Sequence, residues 1–410
     1  MPKKAKKIKN LIVGLDIGTT KVVVLVGEVS SEGQVEIIGV GTNPSRGLKK
    51  GIVVNIDATV QSIQKAIEEA EFMSGCEINS AYTGIAGSHI RSINSNGIVA
   101  IRNREVTQAD VDRVIDAART IAIPADQKIL HVLPQEFVID DQEGVREPIG
   151  MSGVRLETKV HIVTGGVSAA QNIVKCIERC GLRVSDIILQ QLASSAAVLT
   201  DDEKELGVCL VDIGGGTTDI ALFTDGAIRY SAVIPIAGNQ MTNDIAVTLR
   251  IPTKYAEEIK LKYACALSDT VDAGEIIDLG SAQYQPQVLK KTLAEIVEAR
   301  YEELFNLVLA ELQRHGFEEM IAAGIVLTGG ASKVPGIMEL AERVFQMPVR
   351  VGSPQNVTGM TEILNNPIYS TGVGLLLTGY QHQHEDRTDF ISGNVKNLFA
   401  RMKGWFQKNF

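Results

Sequence analysis

Two short glycine-rich turns, each opening with an aspartate and set between apolar segments, constrain this 410-residue chain most strongly. The first covers Gly14–Lys21 and the second covers Val211–Asp219. Apolar runs lead into and out of both turns, which predicts a strand, a tight turn and a second strand at each place. A pattern that occurs twice in one chain indicates an internal duplication whose two halves clamp a single ligand.

The residue types in both turns suit a phosphorylated ligand. Glycines let the backbone approach a ligand closely, and their N–H groups fit phosphate oxygens, as do the threonine hydroxyls and one lysine. Asp16 and Asp212 would repel phosphate, so their presence predicts a divalent cation, held through water, between carboxylate and phosphate. The chain lacks the Gly-x-x-x-x-Gly-Lys-[Ser/Thr] loop, which excludes a Walker-type site, and no Gly-x-Gly-x-x-Gly turn supports a dinucleotide fold.

Length and composition limit the class of protein. A chain of 410 residues with 45% hydrophobic and 22% charged residues predicts a globular protein of two or more domains. No segment is apolar enough to span a bilayer, and no signal peptide is visible, so we expect a cytoplasmic protein. The five cysteines lack zinc-ligand spacing. A net charge of −9 with lysine-rich ends argues against nucleic-acid binding by the body of the protein.

The hydrophobic rhythm along the chain predicts how it is divided. It begins with three strands, a helix and a strand, is interrupted from 84 to 162 by a small α+β insertion with an edge strand at Pro134, and resumes at Val160–Val163. A polar segment near the C-terminus reads as a linker. The predicted units are a first lobe (1–83, 163–199 and 361–380), the insertion (84–162), a second lobe (200–226 and 314–360) with a helical subdomain (227–313), a linker (381–394) and a terminal helix (395–410).

The terminal helix would be strongly amphipathic. At 100° per residue, bulky apolar residues fall on one face and basic residues fall elsewhere, without any acid. The apolar face holds Leu398, Phe399, Met402, Trp405 and Phe406, and the basic residues include Lys403 and Lys408. One interpretation is a helix docked on its own domain. The other, which the polar linker and basic face favour, is an interfacial helix lying on an anionic phospholipid membrane.

The order of these parts resembles that of the actin-like ATPase superfamily. Asp16–Lys21 is similar to its first phosphate turn, Asp212–Asp219 to its second phosphate turn and Thr328–Ala331 to its adenosine turn. Ala193–Val198 and Thr371–Leu377 are similar to its two connecting helices. The resemblance implies an α/β, ribonuclease H-like fold of two duplicated lobes with ATP and Mg²⁺ between them.

The resemblance also implies roles for individual residues. Asp16 and Asp212 would hold Mg²⁺ through water, and Gln190 would position the attacking water, which favours slow turnover because an amide is a poor base. An Ala-Glu-x-Ile-Lys stretch would reach the ribose and base through Glu257 and Lys260, although those charges could also form a solvated helix face. The remaining nucleotide contacts would be Gly18, Thr19, Thr20, Lys21, Gly214, Gly215, Gly216, Thr217, Thr218, Gly329, Gly330 and Ala331.

Within the superfamily the chain resembles the FtsA family of bacterial cell-division proteins. The stretches that carry this resemblance are Gly39–Gly51, Val132–Ile139, Ser152–Arg155 with His161, and Leu206–Asp219. It implies a peripheral protein on the cytoplasmic face of the inner membrane at the division septum. Such a protein tethers the tubulin-like polymer FtsZ, self-assembles and recruits later division proteins.

The same resemblance places the FtsZ C-terminal peptide on a helix at Thr292–Leu312, where Arg300 would meet it. Arg300 could instead form an ordinary surface pair with Glu298 or Glu303. Three other functions use the same fold. A sugar kinase would need a second-substrate pocket and has no use for a basic tail, an Hsp70-type chaperone would need a large additional domain, and a pilus-assembly relative would lack the tail.

Overall fold

The computed structural model describes residues 10–278 and 287–392, and for residues 385–392 it describes the backbone alone. The first lobe starts with a meander of strands followed by one long helix. Its elements are β1 (Leu11–Ile17), β2 (Lys21–Val29), β3 (Val35–Pro44), β4 (Leu48–Lys49), β5 (Ile52–Val53), α1 (Ile56–Ser74) and β6 (Ser80–Ile85). The Asn55 side chain caps the start of α1, and Gly75, with φ of 68°, ends it.

The expected α+β insertion follows directly after β6. It consists of β7 (Arg91–Ala100), α2 (Gln108–Arg119), β8 (Gln127–Ile139), β9 (Gln142–Val145) and β10 (Arg155–Gly166). The strands form one sheet in the order β7-β10-β8-β9. Val114 of α2 and Val160 and Ile162 of β10 are buried together in a core of its own. A capping box between Thr107 and Asp110 begins α2, as the Thr-x-x-acid pattern predicts.

The chain then completes the first lobe, forms the second lobe and returns. The first lobe gains α3 (Val167–Arg179), β11 (Arg183–Leu189) and α4 (Gln190–Val198). The second lobe contains α5 (Asp201–Leu206), β12 (Val208–Ile213), β13 (Thr218–Thr224), β14 (Ala227–Ile234), α6 (Gly238–Leu249), α7 (Thr253–Tyr263), β15 (Ile276–Asp278), β16 (Gln287–Leu289), α8 (Lys290–Arg314), β17 (Ile325–Thr328), α9 (Ile337–Phe345) and β18 (Val349–Val351). The returning segment consists of β19 (Val357–Gly359), α10 (Thr361–Leu364) and α11 (Ser370–Ser392).

The two main sheets confirm the duplication. Their strand orders are β11-β6-β1-β2-β3-β19 and β14-β13-β12-β17-β18. In each sheet three consecutive strands are antiparallel, and the first of them also pairs in parallel with a later strand, β6 in one lobe and β17 in the other. The insertion leaves the first lobe after β6, at the place where the second lobe has its adenosine turn after β17.

The connecting helices α4 and α11 lie between the two sheets. Gly374 of α11 approaches Ala193 of α4 so closely that a β-carbon there would overlap the Ala193 carbonyl. One buried cluster joins the sheets through these helices, since it contains Leu25 from β2, Leu210 from β12 and Leu375 from α11. The small residues of both helices therefore permit a tight apolar floor beneath the space between the lobes.

The segment predicted as a linker at 381–394 is helical as far as residue 392, because α11 continues to Ser392. The polar residues that follow Leu377 include neither glycine nor proline between Tyr380 and Gly393. Adding a residue to an existing helix is far cheaper than starting one, so the buried first half of α11 propagates into this segment. The terminal helix predicted at 395–410 lies outside the described residues.

Two further details differ from the sequence-based expectations, and the expectation for Pro134 holds. β9 joins β8 only at Phe137 and Ile139, so at Pro134 the strand pairs with β10 alone and its other side is an edge of the sheet. Val160–Val163 belongs to β10 of the insertion sheet, so the first lobe resumes at Val167. Proline is favoured in the first turn of a helix, which predicts that Pro335 opens α9, but Pro335 precedes the N-cap, Gly336, and lies outside that turn. The unit boundaries otherwise remain predictions.

Candidate functional site

The two phosphate turns have the same backbone geometry. The Gly18 N–H donates to the Lys21 carbonyl at 3.0 Å, and the Gly214 N–H donates to the Thr217 carbonyl at 3.0 Å. Both turns close an antiparallel hairpin, β1–β2 in one lobe and β12–β13 in the other. The duplicated sequence pattern therefore produces two equivalent turns.

The turns face each other across a cleft between the lobes. A β-carbon on Gly215 would overlap the Thr20 hydroxyl, and one on Gly216 would overlap the Thr19 side chain. Glycine is thus required by the approach of the opposite turn. The cleft has a volume of about 460 Å³, within the usual range for small-molecule sites. It brings together most of the predicted residues: Asp16, Gly18, Thr19, Thr20, Lys21, Gln190, Asp212, Gly214, Gly215, Gly216, Thr217, Glu257, Lys260, Gly329, Gly330 and Ala331.

Three aspartates lie at the bottom of the cleft. Asp16, Asp212 and Asp219 are each at most 7% exposed. Burial raises the pKa of Asp16 to about 6, an effect that Lys21 opposes and Asp212 reinforces. Burial, reinforced mainly by Asp212, raises the pKa of Asp219 to about 8, and burial also raises the pKa of Asp212. The positive charge that the protein places near these three carboxylates is therefore too small to offset the effect of burial on their ionised forms.

The hydrogen bonds of the first two carboxylates differ. The Gln190 amide donates to Asp16 Oδ1 at 3.2 Å. Asp212 Oδ2 accepts from Ser194 Oγ at 2.5 Å and from Thr371 Oγ1 at 3.4 Å. Each connecting helix therefore fixes a carboxylate at the cleft floor, and Gln190 lies where its amide could also orient a water molecule.

The carboxylates fit a divalent cation bound through water. Asp219 Oδ1 is buried and has no hydrogen-bond partner within the described ranges. No group of three or more histidine, cysteine or acidic residues in those ranges is arranged to bind a metal directly. A hydrated Mg²⁺ would satisfy both observations, because its waters can donate to carboxylates that are too far apart to share the ion.

Lys21 connects the first phosphate turn to the returning segment. Its ammonium donates to the Ile368 carbonyl at 2.6 Å and lies 4.8 Å from the centroid of the Tyr369 ring. Burial lowers its pKa to about 8, while Asp16 and Asp212 act in the opposite direction. A buried ammonium beside the turn is suited to a phosphate oxygen, which would restore the charge balance.

The second lobe supplies the other wall of the cleft. Gly329 has φ of 85° and passes so close to Asp212 that a β-carbon would overlap the carboxylate. The Tyr301 hydroxyl, from α8, donates to the Ala331 carbonyl at 2.5 Å and so holds the adenosine turn. The backbone here can therefore lie flat against a ligand.

The Ala-Glu-x-Ile-Lys stretch lies on α7 with its two predicted contacts facing the cleft. Lys260 Nζ forms an ion pair with Glu257 at 2.8 Å and donates to the Gly238 carbonyl at 3.1 Å. Glu258, by contrast, is exposed. The interpretation of a wholly solvated helix face is therefore incorrect for Glu257 and Lys260, which line the cleft.

Thr218 differs from the other predicted contacts because it does not line the cleft. It is fully buried at the start of β13, and its hydroxyl donates to the Ile236 carbonyl at 2.7 Å. The strand alternation turns its side chain away from the second phosphate turn. Thr218 therefore supports the turn from behind.

Sequence reasoning did not assign Asp219, Ser194 and Thr371 to the site. A signal for Asp219 was present, because the duplication aligns it with Val23 of the first hairpin, and a charge within a buried strand is unusual unless it has a function. Ser194 and Thr371 gave no such signal, since small residues on connecting helices are expected for close packing alone.

Arg300 lies on α8, outside the cleft. Its guanidinium pairs with Asp244 of α6 at 2.6 Å and also contacts Glu303. Sequence analysis considered Glu303 as a partner but not Asp244, because α6 and α8 become neighbours only in the fold. The residues predicted to contact a membrane lie outside the described residues: Leu398, Phe399, Met402, Lys403, Trp405, Phe406 and Lys408. Within the described ranges, no helix is both long and apolar enough to cross a membrane.

Solved structures with the same fold include a pilus biogenesis complex and an MreB protein. The PilM-PilN type IV pilus biogenesis complex matches with a TM-score of 0.66 at 18% identity, covering 90% of this chain and 98% of the other. MreB 5 of Spiroplasma citri, bound to AMPPNP, matches with a TM-score of 0.54 at 15% identity, covering 94% of this chain and 99% of the other. At these identities the matches establish the shared actin-like fold.

Sequence comparisons give a narrower result. Cell division protein FtsA of Pseudomonas aeruginosa is 63% identical over 98% of both chains, and that of Escherichia coli strain K12 is 46% identical over 98% of this chain and 99% of its own. Two family models match as well, cell division protein FtsA at residues 209–374 and the SHS2 domain inserted in FtsA at residues 87–164. The chain therefore belongs to the FtsA family of cell division proteins.

Proposed function

We propose that this protein binds ATP with Mg²⁺ between its lobes and links the FtsZ polymer to the cytoplasmic face of the inner membrane at the division septum. According to this proposal, the protein also self-assembles, recruits later division proteins and attaches to lipid through residues 395–410. The observation that carries the nucleotide part is the pair of phosphate turns facing each other above Asp16 and Asp212.

The charges and hydrogen-bonding groups of the cleft support a nucleoside triphosphate. The turns offer backbone N–H groups and threonine hydroxyls from both lobes, and Lys21 adds one buried ammonium. The aspartates would repel the negative charge of a triphosphate, and a bound Mg²⁺ would offset this repulsion. The adenosine turn, with Glu257 and Lys260, lines the part of the cleft left for the ribose and base.

The groups at the cleft support slow hydrolysis. Gln190 is the polar residue that begins α4, and its amide can orient a water molecule but cannot take up its proton. Phosphoryl transfer depends mostly on positioning and charge neutralisation, which the turns and the cation would supply. The protein is therefore suited to remain in one nucleotide state for long periods, as a regulator of assembly requires.

The composition of residues 395–410 supports membrane attachment. Each lysine near an anionic surface contributes about 1 kcal/mol, and each bulky apolar side chain contributes up to about 1.5–3 kcal/mol when fully buried. Ordering a short helix that is unstable in water offsets part of this gain. A single tail should bind reversibly, and several tails on one assembly should bind far more tightly.

The position of Arg300 supports a peptide site on α8. The neighbouring residue, Tyr301, points inward and holds the adenosine turn, while Arg300 points outward to Asp244 and Glu303. An acidic peptide would have to replace these intramolecular carboxylates. The exchange of one ion pair for another makes the interaction weak and readily reversible.

Lipid co-sedimentation tests this function. The full chain and a variant ending at residue 394 are mixed with vesicles that contain phosphatidylglycerol, with and without ATP and Mg²⁺. The full chain should pellet with the vesicles, more completely with ATP, and the shortened chain should stay in the supernatant while still binding ATP. Steady phosphorylation of a sugar, independent of lipid, would instead support a kinase.

A further inference from the structure

We infer that two histidines, the half-buried His131 and the buried His161, clasp the insertion to both lobes, so that the insertion carries the nucleotide state of the cleft to the outer surface of the molecule. This inference rests on the proposed nucleotide binding. It adds a role for the insertion that neither the cleft geometry nor the family match assigns.

The two faces of the insertion sheet have different partners. Along β10, Val160 and Ile162 are buried against α2, whereas Val163 joins the core of the first lobe. The register between β10 and β8 pairs His161 with Leu133 and Val163 with His131. The two histidines are therefore diagonal neighbours on the face turned toward the lobes.

Side chains of the insertion cover the free edge of the second lobe. β14 is the edge strand of that sheet, and its carbonyls need donors from outside. Three of these carbonyls, at residues 228, 229 and 231, accept from the insertion. The donors are Gln135 Nε2 to Ile228 O at 2.7 Å, Asn94 Nδ2 to Arg229 O at 3.1 Å and Ser92 Oγ to Ser231 O at 2.8 Å.

His161 completes this contact from the centre of the interface. Its side chain lies 2.9 Å from Ser231 Oγ and 2.7 Å from Asn94 Oδ1, and the residue is 1% exposed. Burial, and to a lesser extent His131, lowers its pKa to about 4. A neutral ring can donate from Nδ1 to Asn94 and accept at Nε2 from the Ser231 hydroxyl, so every polar group in the contact has a partner.

His131 makes the corresponding contact with the first lobe. The Leu189 N–H donates to His131 Nε2 at 3.0 Å, and burial lowers the pKa of His131 to about 4, which keeps this nitrogen free to accept. Leu189 is the N-cap of α4. The next residue, Gln190, donates to Asp16 at the cleft floor.

The contact with the second lobe also leads to the cleft within a few residues. Thr218, after the second phosphate turn, pairs with Ile234 at the end of β14. Beyond β14, the N–H groups of Gly238 and Asn239 donate to the carbonyls of Gly214 and Gly215 at 3.1 and 2.8 Å. If a ligand displaced the second phosphate turn, these hydrogen bonds would therefore move β14 with it.

The connections between the insertion and the first lobe leave room for such a response. The chain leaves the first lobe through Gly87, with φ of 128°, and returns through Gly165 and Gly166. These connections can change backbone angles at little cost. Separating the insertion from β14 would instead break the three hydrogen bonds to β14 carbonyls and the His161–Ser231 contact at the same time, which is unfavourable. When the lobes move, the insertion should therefore follow the second lobe.

Hydrogen exchange of the full chain, with and without ATP and Mg²⁺, tests this inference. In the wild-type protein, nucleotide should slow exchange in the insertion segments 91–100 and 131–139 on the order of fivefold. Asn94→Ala and His161→Ala should remove this response. Asn96→Ala is the matched control, since it alters the same residue type two positions further along β7, and it should respond like the wild type. Asn94 and Asn96 are exposed, so neither change threatens the core.

Titration with a fluorescent ATP analogue separates the two proposals. A wild-type protein that does not bind the analogue contradicts the proposed function, and with it the basis of the clasp. A wild-type protein that binds it while the exchange of both insertion segments stays unchanged overturns the clasp alone. The clasp is also overturned if Asn94→Ala and His161→Ala respond like the wild type. Loss of the response with nucleotide affinity retained supports it.

Discussion

Gly215 of the second phosphate turn lies against Thr20 of the first, so closely that a β-carbon at position 215 would overlap the threonine hydroxyl. The two turns come from different lobes and from segments almost two hundred positions apart in the chain. In the proposed function, their approach defines where the phosphates of ATP would lie. It also makes the cleft sensitive to a single added side chain.

Gly215→Val should abolish ATP binding, because the added side chain would hold the two turns apart and occupy the space meant for phosphate. The measurement is a fluorescence titration with an ATP analogue. We expect at least about a hundredfold weaker binding, because several charge-assisted hydrogen bonds to the phosphates would be lost. Gly274→Val is the control, since a β-carbon at Gly274 meets only one side-chain atom, at 3.7 Å. Unchanged affinity in Gly215→Val would refute the assignment of the cleft.

Asp219→Asn should stabilise the nucleotide-free protein at high pH. Burial raises the pKa of Asp219 from 3.8 to about 8, so the folded protein holds a proton that the unfolded chain releases in this range. The stability of the wild type therefore falls as the pH rises through the window, and asparagine removes this loss. Urea unfolding in EDTA should show a gain of about 1 kcal/mol or more at pH 8 and little gain at pH 4.

The same change should weaken the binding of Mg²⁺ and ATP, since it removes one of the carboxylates that a hydrated cation would contact. We expect about a tenfold loss of affinity with Mg²⁺ present, as for one charged hydrogen bond. Asp141→Asn removes a carboxylate that is fully exposed on the insertion and serves as the control. Equal affinities for both variants would place the cation elsewhere.

Arg300→Ala should weaken binding of an acidic FtsZ C-terminal peptide about tenfold, since one charge-assisted hydrogen bond to the peptide is lost. Arg314→Ala, on the same helix and paired with Glu311, is the control and should bind normally. Asp244→Asn should have the opposite effect and strengthen binding, because it removes the carboxylate that competes for Arg300. Calorimetric titration measures all three, and a peptide insensitive to Arg300→Ala would exclude this site.

Trp405→Glu should release the protein from vesicles that contain phosphatidylglycerol while ATP binding persists. The change removes the largest apolar side chain of the tail and puts a charge on the face that would enter the lipid. Gln407→Glu adds the same charge to the polar face and should retain most of the binding. Continued pelleting of Trp405→Glu with vesicles would contradict the membrane role of residues 395–410.

Much of the fold could be predicted because its determinants are local. The apolar runs around both glycine turns, the Thr107 capping box and Gly181 after α3 mark the bounds of their elements in the sequence. The segment beyond Leu377 could not be predicted this way, since its helix is propagated from a buried neighbour. Pro134 was predictable as an edge position, since β9 joins β8 only at Phe137 and Ile139 and leaves β10 as the one partner of the strand at Pro134.

The site was predictable to the extent that its residues carry unusual chemistry. Asp16, Lys21 and Asp212 are charged residues at the ends of buried strands. The turns beside them contain more glycines than an ordinary turn needs. The contacts of Arg300 with Asp244 and of His161 with Ser231 join elements that are distant in sequence. These pairs come together only through the packing of α6 on α8 and of the insertion on β14, so no local sequence pattern predicts them.

A crystal structure of the full chain grown with ATP and Mg²⁺ tests the central claim most directly. The account predicts the triphosphate between the two phosphate turns, the adenosine against Gly329 and Gly330, and a hydrated Mg²⁺ contacting Asp16 and Asp212 through its waters. Nucleotide bound to one turn alone, or at any other place on the molecule, would contradict it.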